Sequence, residues 1–242
     1  MVRRLRISVA VVVMALLTGH FLDVAGLLPD GLSWLTRIQF VPGLLAHCLV
    51  ILGLLALAAL LFGRIYCSVL CPLGIFQDIS GWLSRRFSKK KKRYKYAPAR
   101  NILRWTFLGI TAASIIAGLS VIVSLLDPYA AYGRIAANIL KPLYLLGNNI
   151  LEWIFTSFDN YTFYRMEVDI LDVSAFAIAL LTFIIIGYMA WRWGRTYCNT
   201  VCPVGTALGF LSRYSLFRIR IDVNNCNSCG VCSSKCKAHC PV

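Results

Sequence analysis

Ten cysteines stand in this chain of 242 residues, and nine of them come in groups. Cys67 and Cys71 are four apart, as are Cys198 and Cys202, and each pair is followed by proline. Cys226, Cys229, Cys232 and Cys236 form a C-x2-C-x2-C-x3-C run, with Cys240 beyond it and Cys48 alone. That run has the spacing by which a tight loop wraps three thiolates around a [4Fe–4S] cube. Gly230 leaves room for the backbone to approach the inorganic core. Zinc usually takes two separated C-x2-C knuckles, so the spacing speaks for iron. Cys226, Cys229 and Cys232 are the expected ligands. Cys236 is the expected fourth, with Cys240 as its alternative, because Lys237 stands where proline is usual and Cys-Pro recurs at Cys240-Pro241. The sequence stops at Val242 before any second quartet, which reads as a truncated frame.

The two cysteine pairs sit in near copies of one stretch. Gly63–Gly74 and Gly194–Gly205 both read G-R-x-Y-C-x-x-x-C-P-x-G, and each follows a long apolar run. Matching flanks at fixed offsets mark an internal duplication. Glycine at a helix end tolerates a left-handed or bent backbone. Arginine and tyrosine just past it suit a headgroup zone. In a helix, cysteines four apart share a face at roughly 5–6 Å between Cβ atoms, which suits two thiolates on one metal centre. A single pair would read as reduced thiols packed under a helix end. Repetition with the whole flank retained favours ligands, so Cys67, Cys71, Cys198 and Cys202 are expected to hold a second iron–sulfur centre.

The elements that must position these groups are apolar. With 59% hydrophobic and 14% charged residues, the chain has the composition of a membrane protein. Four spans are expected, at about 7–28, 43–63, 102–125 and 173–193, with 126–172 lying in the outer interface as amphipathic helices. Segments then assigned to the inside carry 21 of the 25 Lys and Arg, but only Asp78 and Asp222 of the 10 acidic residues. Lys/Arg excess marks the cytoplasmic side. Both termini and all the clustered cysteines are therefore expected on the cytoplasmic face of a bacterial inner membrane, in a multi-pass protein. The formal charge of +15 finds its partner in anionic lipid headgroups at Lys89–Arg93. Nucleic acid is excluded because no aromatic or hydrogen-bonding readout pattern accompanies that run.

The expected fold is thus an all-α integral membrane protein. Four transmembrane helices make two same-orientation repeats, 1–101 and 102–216. A small α+β ferredoxin-like module at 217–242 begins with a strand at Phe217–Val223, which alternates with period two. Same-orientation repeats are related by an axis along the membrane normal, and such an axis gathers the two cysteine pairs. His20 and His47 fall in expected spans, where they are candidates for a quinone or a haem contact or are structural polar groups. Cys48 reads as a small core residue.

At Gly63–Gly74, Gly194–Gly205 and Cys226–Cys236 the chain resembles the NapH/NosR-type membrane-bound 4Fe-4S proteins. More distantly it is similar to the CcoG-type cytochrome oxidase assembly proteins. The resemblance implies electron transfer between the quinone/quinol pool and a partner redox protein, as a component of an oxidoreductase complex rather than a stand-alone enzyme. Two other functions remain open at this level. One is an assembly or regulatory factor that uses its cysteines to handle metal or reduce a client. The other is a structural anchor for a redox complex.

Overall fold

The computed structural model describes residues 2–23, 38–46, 48–87, 101–158, 162, 164–167 and 172–217. Of these, 84% are helical, and no strand occurs among them. Helix α1 (Val2–Leu22) is followed by α2 (Phe40–Leu45), α3 (Leu49–Phe62), the single turn α4 (Tyr66–Val69) and α5 (Pro72–Phe87). Next come α6 (Asn101–Ile116), α7 (Ser120–Leu126), α8 (Pro128–Ile135), a π-helical turn (Ala136–Leu140) and α9 (Lys141–Thr156). The last helices are α10 (Val173–Trp193), α11 (Thr196–Thr200) and α12 (Pro203–Leu211), closed by a 3-10 turn at Ser212–Tyr214.

This architecture corrects the expected fold class. Among the described residues, two helical segments, not four, are long and apolar enough to cross a bilayer: Arg4–Leu22 and Val173–Trp193. Helix α3, with 14 residues, and α6, with 16, fall short of the ~20 needed to span. The reasons are local. The expected second span is split because α2 ends at Leu45 and α3 starts afresh at Leu49. The expected third span breaks at Gly118, whose φ of 71° only glycine adopts without strain, and Leu119 N donates to Ser114 O at 2.8 Å. The absence of strands among the described residues also overturns the α+β description. Phe217, where the strand was expected to begin, lies in a bend and donates its N–H to Leu61 O. The rest of that segment lies outside the described residues.

Only 17% of each long apolar window is buried within the protein, whereas the core helix of a soluble domain would be mostly covered. Leu181, Ile184 and Ile185 of α10 and Val11 and Val12 of α1 all face outward. Part of the stretch expected in the interface, 126–172, is instead core. Ala131, Tyr132, Ile135 and Ala136 are among the most deeply buried residues of the chain, so α8 and the π turn belong to the core. Tyr132 meets Thr18 of α1 there, hydroxyl to hydroxyl at 2.6 Å.

The two halves exchange helices. Helix α5 leaves the first motif and packs on α10, which leads into the second: Phe76 lies 5.5 Å from Phe183, and Ser84 Oγ donates to Trp191 O at 2.8 Å. Helix α12 leaves the second motif and packs back on α3, so that Ser215 lies beside Gly63 and Leu216 N donates to Leu60 O. Adding 131 to a residue number maps one motif onto the other, and it also maps Ser84 onto Ser215. The duplication is therefore a duplication of contacts as well as of sequence.

Candidate functional site

Each cysteine turn begins at a glycine that ends an apolar helix. Gly63 (φ 70°) and Gly194 (φ 75°) occupy a backbone region closed to most side chains, and the chain reverses into the bundle there. One carbonyl then holds each turn: Tyr66 O accepts from Leu70 N and Cys71 N, and Tyr197 O accepts from Val201 N and Cys202 N, all within 2.9–3.1 Å. Pro72 and Pro203 open α5 and α12, positions where a missing N–H costs nothing. The cysteines are thus divided between a short turn and a helix start rather than stacked on one helical face. Helix α5 starts at Pro72, directly after Cys71, and reaches the last turn of α10 only at Ser84. Cys71 consequently lies roughly 18 Å along α5 from that contact, and Gln77, whose amide meets Cys198, roughly 10 Å, so the cysteine turns fold back beside α10 rather than extending beyond its end.

All four thiols are buried, reduced and gathered at one locus. Burial pushes every one of them up, Cys67 to about 12, and the nearby Cys198 thiol adds to the shift at Cys67, Cys71 and Cys202. Against this, the Arg64 and Arg195 guanidiniums pull Cys67 down, and Arg195 and the Gln77 amide pull Cys198 down. Amide donors point at sulfur: Gln77 Nε2 and Gly205 N each stand 3.3 Å from Cys198 Sγ and Cys202 Sγ respectively, and Gly74 N serves Cys71. The locus therefore favours neutral thiols until a bound cationic centre draws off their protons.

The donor set suits iron and sulfur chemically: four thiols, N–H donors on the sulfurs, and low exposure are the features that hold and tune such clusters. Among the described residues, no three His, Cys, Asp or Glu side chains are placed to hold a single metal ion. A cluster attaches each thiolate to a different iron and so does not require them to converge on one point.

Several contributors escape a motif reading. Arg195 is clamped by Asp78 through Nε–Oδ1 at 2.9 Å and Nη2–Oδ2 at 2.7 Å. Arg64 Nη1 donates to Asn199 Oδ1 at 2.6 Å. These arginines span the two halves instead of reaching for headgroups. The motif tyrosines are core residues too: Tyr66 donates to Gln39 Oε1 at 2.8 Å and accepts from Phe40 N at 3.1 Å, and Tyr197 reaches Leu126 O at 3.4 Å. A repeat alignment carried past Gly74 and Gly205 would have flagged Gln77 and Asp78, which follow the first motif alone. Cys226, Cys229, Cys232, Cys236, Cys240, His47 and Lys89–Arg93 lie outside the described residues. His20 is exposed, its ring 6.2 Å from that of Phe21, and Cys48 is half-buried at the start of α3.

The 4Fe-4S binding domain family matches residues 45–91 and 173–224. The methylamine utilization ferredoxin-type protein MauN of Paracoccus denitrificans (strain Pd 1222) is 26% identical over 182 residues, 72% of this chain and 48% of that one. The ferredoxin-type protein NapH of Haemophilus influenzae (strain ATCC 51907 / DSM 11121 / KW20 / Rd) is 25% identical over 183 residues, 74% of this chain and 49% of that one. YccM of Escherichia coli (strain K12), by its name an electron transport protein, is 23% identical over 227 residues, 92% of this chain and 54% of that one. These matches support a likeness to the NapH-type 4Fe-4S proteins. The stretches that the family model matches are the two structural repeats, α3 to α5 and α10 to α12, each with one cysteine turn at its centre. The chain spans about half the length of these curated relatives. No solved structure matches it.

Proposed function

We propose that the protein is a membrane electron carrier that holds iron–sulfur clusters and passes electrons between quinol and a redox partner protein. The observation that carries this reading is the gathering of four buried thiols, two from each repeat, under N–H donors aimed at sulfur. Relatives named for ferredoxin-type and electron transport roles support it. A bound cluster supplies one-electron chemistry at constant ligation. In this reading Cys67, Cys71, Cys198 and Cys202 hold one centre, and Cys226, Cys229, Cys232 and Cys236 or Cys240 hold a [4Fe–4S] cluster.

The protein's own part is position and field. Gln77, Gly74 and Gly205 stabilise thiolate sulfur by hydrogen bonding. Arg64 and Arg195 offset negative charge that accumulates on reduction. The surrounding core, with Leu73, Val204 and Leu208 almost wholly covered, excludes water and lowers the dielectric around the sulfurs. The outward apolar faces of α1 and α10 suit lipid, and the Lys/Arg excess orients the chain with its cysteines towards the cytoplasm.

The test is anaerobic purification of the full chain followed by an optical and EPR spectrum with iron and sulfide counts. Cys67→Ala and Cys198→Ala should each remove one share of the iron, and Cys226→Ala a different share. Adding a quinol should bleach the visible band. Iron-free, colourless protein overturns the reading altogether. Unchanged iron in Cys67→Ala and Cys198→Ala overturns the centre at the paired motifs, and a band indifferent to quinol overturns the donor.

A further inference from the structure

Carrying the internal repeat beyond the cysteines exposes an asymmetry. In one half the motif arginine, Arg195, is neutralised by Asp78. The residue equivalent to Asp78 in the other half is Gly209, and the equivalent arginine is Arg64. Arg64 Nη2 and Arg104 Nη2 both converge on the spot where a Gly209 side chain would begin, 2.8 and 2.9 Å from it. Neither arginine has a carboxylate partner among the described residues. Arg64 spends its other terminal nitrogen on Asn199. Arg104 Nε is buried and donates to nothing. Two like charges brought together beside an orphaned donor describe a cradle for an anion.

We propose that Arg64 and Arg104, meeting over Gly209, bind a phosphate oxyanion in the place that Asp78 fills for Arg195. Guanidinium forks match phosphate oxygens, and a charge shared between two arginines suits an oxyanion better than a neutral group. Arg213, one helical turn beyond Gly209, is exposed and close enough to Arg104 to add its charge. Beside it in the chain, Trp105 and Tyr214 each meet Phe210 edge to face, 6.1 Å between ring centres in each pair. Partly exposed tryptophan and tyrosine rings flanking a cationic cluster are the dress of a lipid headgroup zone. Phosphate chemistry can reach such a site on an anionic phospholipid or as the free ion, and the two are separable.

The test uses the full chain in neutral detergent. Binding is measured by native mass spectrometry and by titration with short-chain phosphatidylglycerol, phosphatidylcholine and inorganic phosphate. Arg104→Gln removes one fork. Gly209→Asp supplies the missing carboxylate from within, and the atoms it meets are the ends of flexible side chains. The parent should bind phosphatidylglycerol in preference to phosphatidylcholine, and both variants should bind it about tenfold more weakly or less, the loss expected of a charge-assisted contact. Phosphatidylglycerol binding without inorganic phosphate binding supports the site and assigns it to lipid. Binding of both supports it as a general phosphate site. Binding of neither to the parent, or equal binding by parent and Arg104→Gln, overturns it. Should Gly209→Asp fail to fold, Arg104→Gln decides alone.

Discussion

Replacing Gly74 or Gly205 by alanine probes the cysteine turns directly. A Cβ on Gly74 lands on the carbonyl oxygen of Cys67, and one on Gly205 lands on that of Cys198, each far inside van der Waals contact. Both obstacles are backbone atoms, so no rotamer change relieves the overlap and the turn itself must open. Overpacking costs about 1–3 kcal/mol when neighbours yield, and an unyielding backbone places these sites at about 3 kcal/mol. For a chain of this length that lowers the unfolding midpoint by roughly 6–12 °C. The control is Gly187→Ala in the middle of α10, where an added Cβ meets nothing within 4 Å. There the helix gains up to about 1 kcal/mol from the better helix former. Thermal unfolding in detergent, followed by circular dichroism alongside bound iron, reads both effects. Gly74→Ala and Gly205→Ala should lose midpoint and iron together, because opening the turn separates the cysteines it joins. An unchanged midpoint with full iron in Gly74→Ala would refute the close approach on which the site geometry depends.

Three other expectations follow from the same contacts. Asp78→Ala strands a largely buried Arg195 and should destabilise by about 3 kcal/mol, whereas Asp78→Ala combined with Arg195→Ala should cost less than Asp78→Ala alone; denaturant titration of the set measures this. Tyr66→Phe leaves Gln39 Oε1 and Phe40 N without their partner and should cost about 1–3 kcal/mol, while Tyr197→Phe gives up one long bond and should cost under 1; equal losses would contradict the asymmetry. In iron-free protein the raised Cys67 thiol stabilises the fold fully below its unfolded value, and that contribution is lost as pH rises toward about 12. Iodoacetamide should therefore alkylate it far more slowly at pH 8 than it does a free thiol, and iron uptake should release protons and strengthen as pH rises.

How far the residues foretold this arrangement depends on the range of the interactions involved. The twin motifs announced the duplication and the meeting of the four thiols, because the signal sits within twelve consecutive residues. Gly63 and Gly194 announced the helix ends for the same reason. The four-span reading went astray because hydropathy sums over windows and is blind to a break such as Gly118 or the step from Leu45 to Leu49. The depth of the cysteines was hidden because it depends on reversal after glycine, a matter of backbone angle rather than polarity. Arg195 and Asp78 could not be joined from spacing, since they lie 117 positions apart, and Arg64 and Arg104 reveal their crowding only once α12 presents Gly209 between them. The burial of Tyr132, inside the stretch read as interfacial, was hidden because its hydroxyl is satisfied by Thr18, a partner more than a hundred positions away.

The exchange of α5 and α12 bears on how the molecule is made. When the first half emerges from the ribosome, the apolar face that α5 will press on α10 has nothing to meet, since α10 has not yet been synthesised. Half a protein is therefore not half a fold, and early insertion must tolerate an open seam until the later segment arrives. If the paired thiols hold a cluster as proposed, its loading waits for that closure. Premature release at mid-length leaves a sticky fragment for proteases to clear.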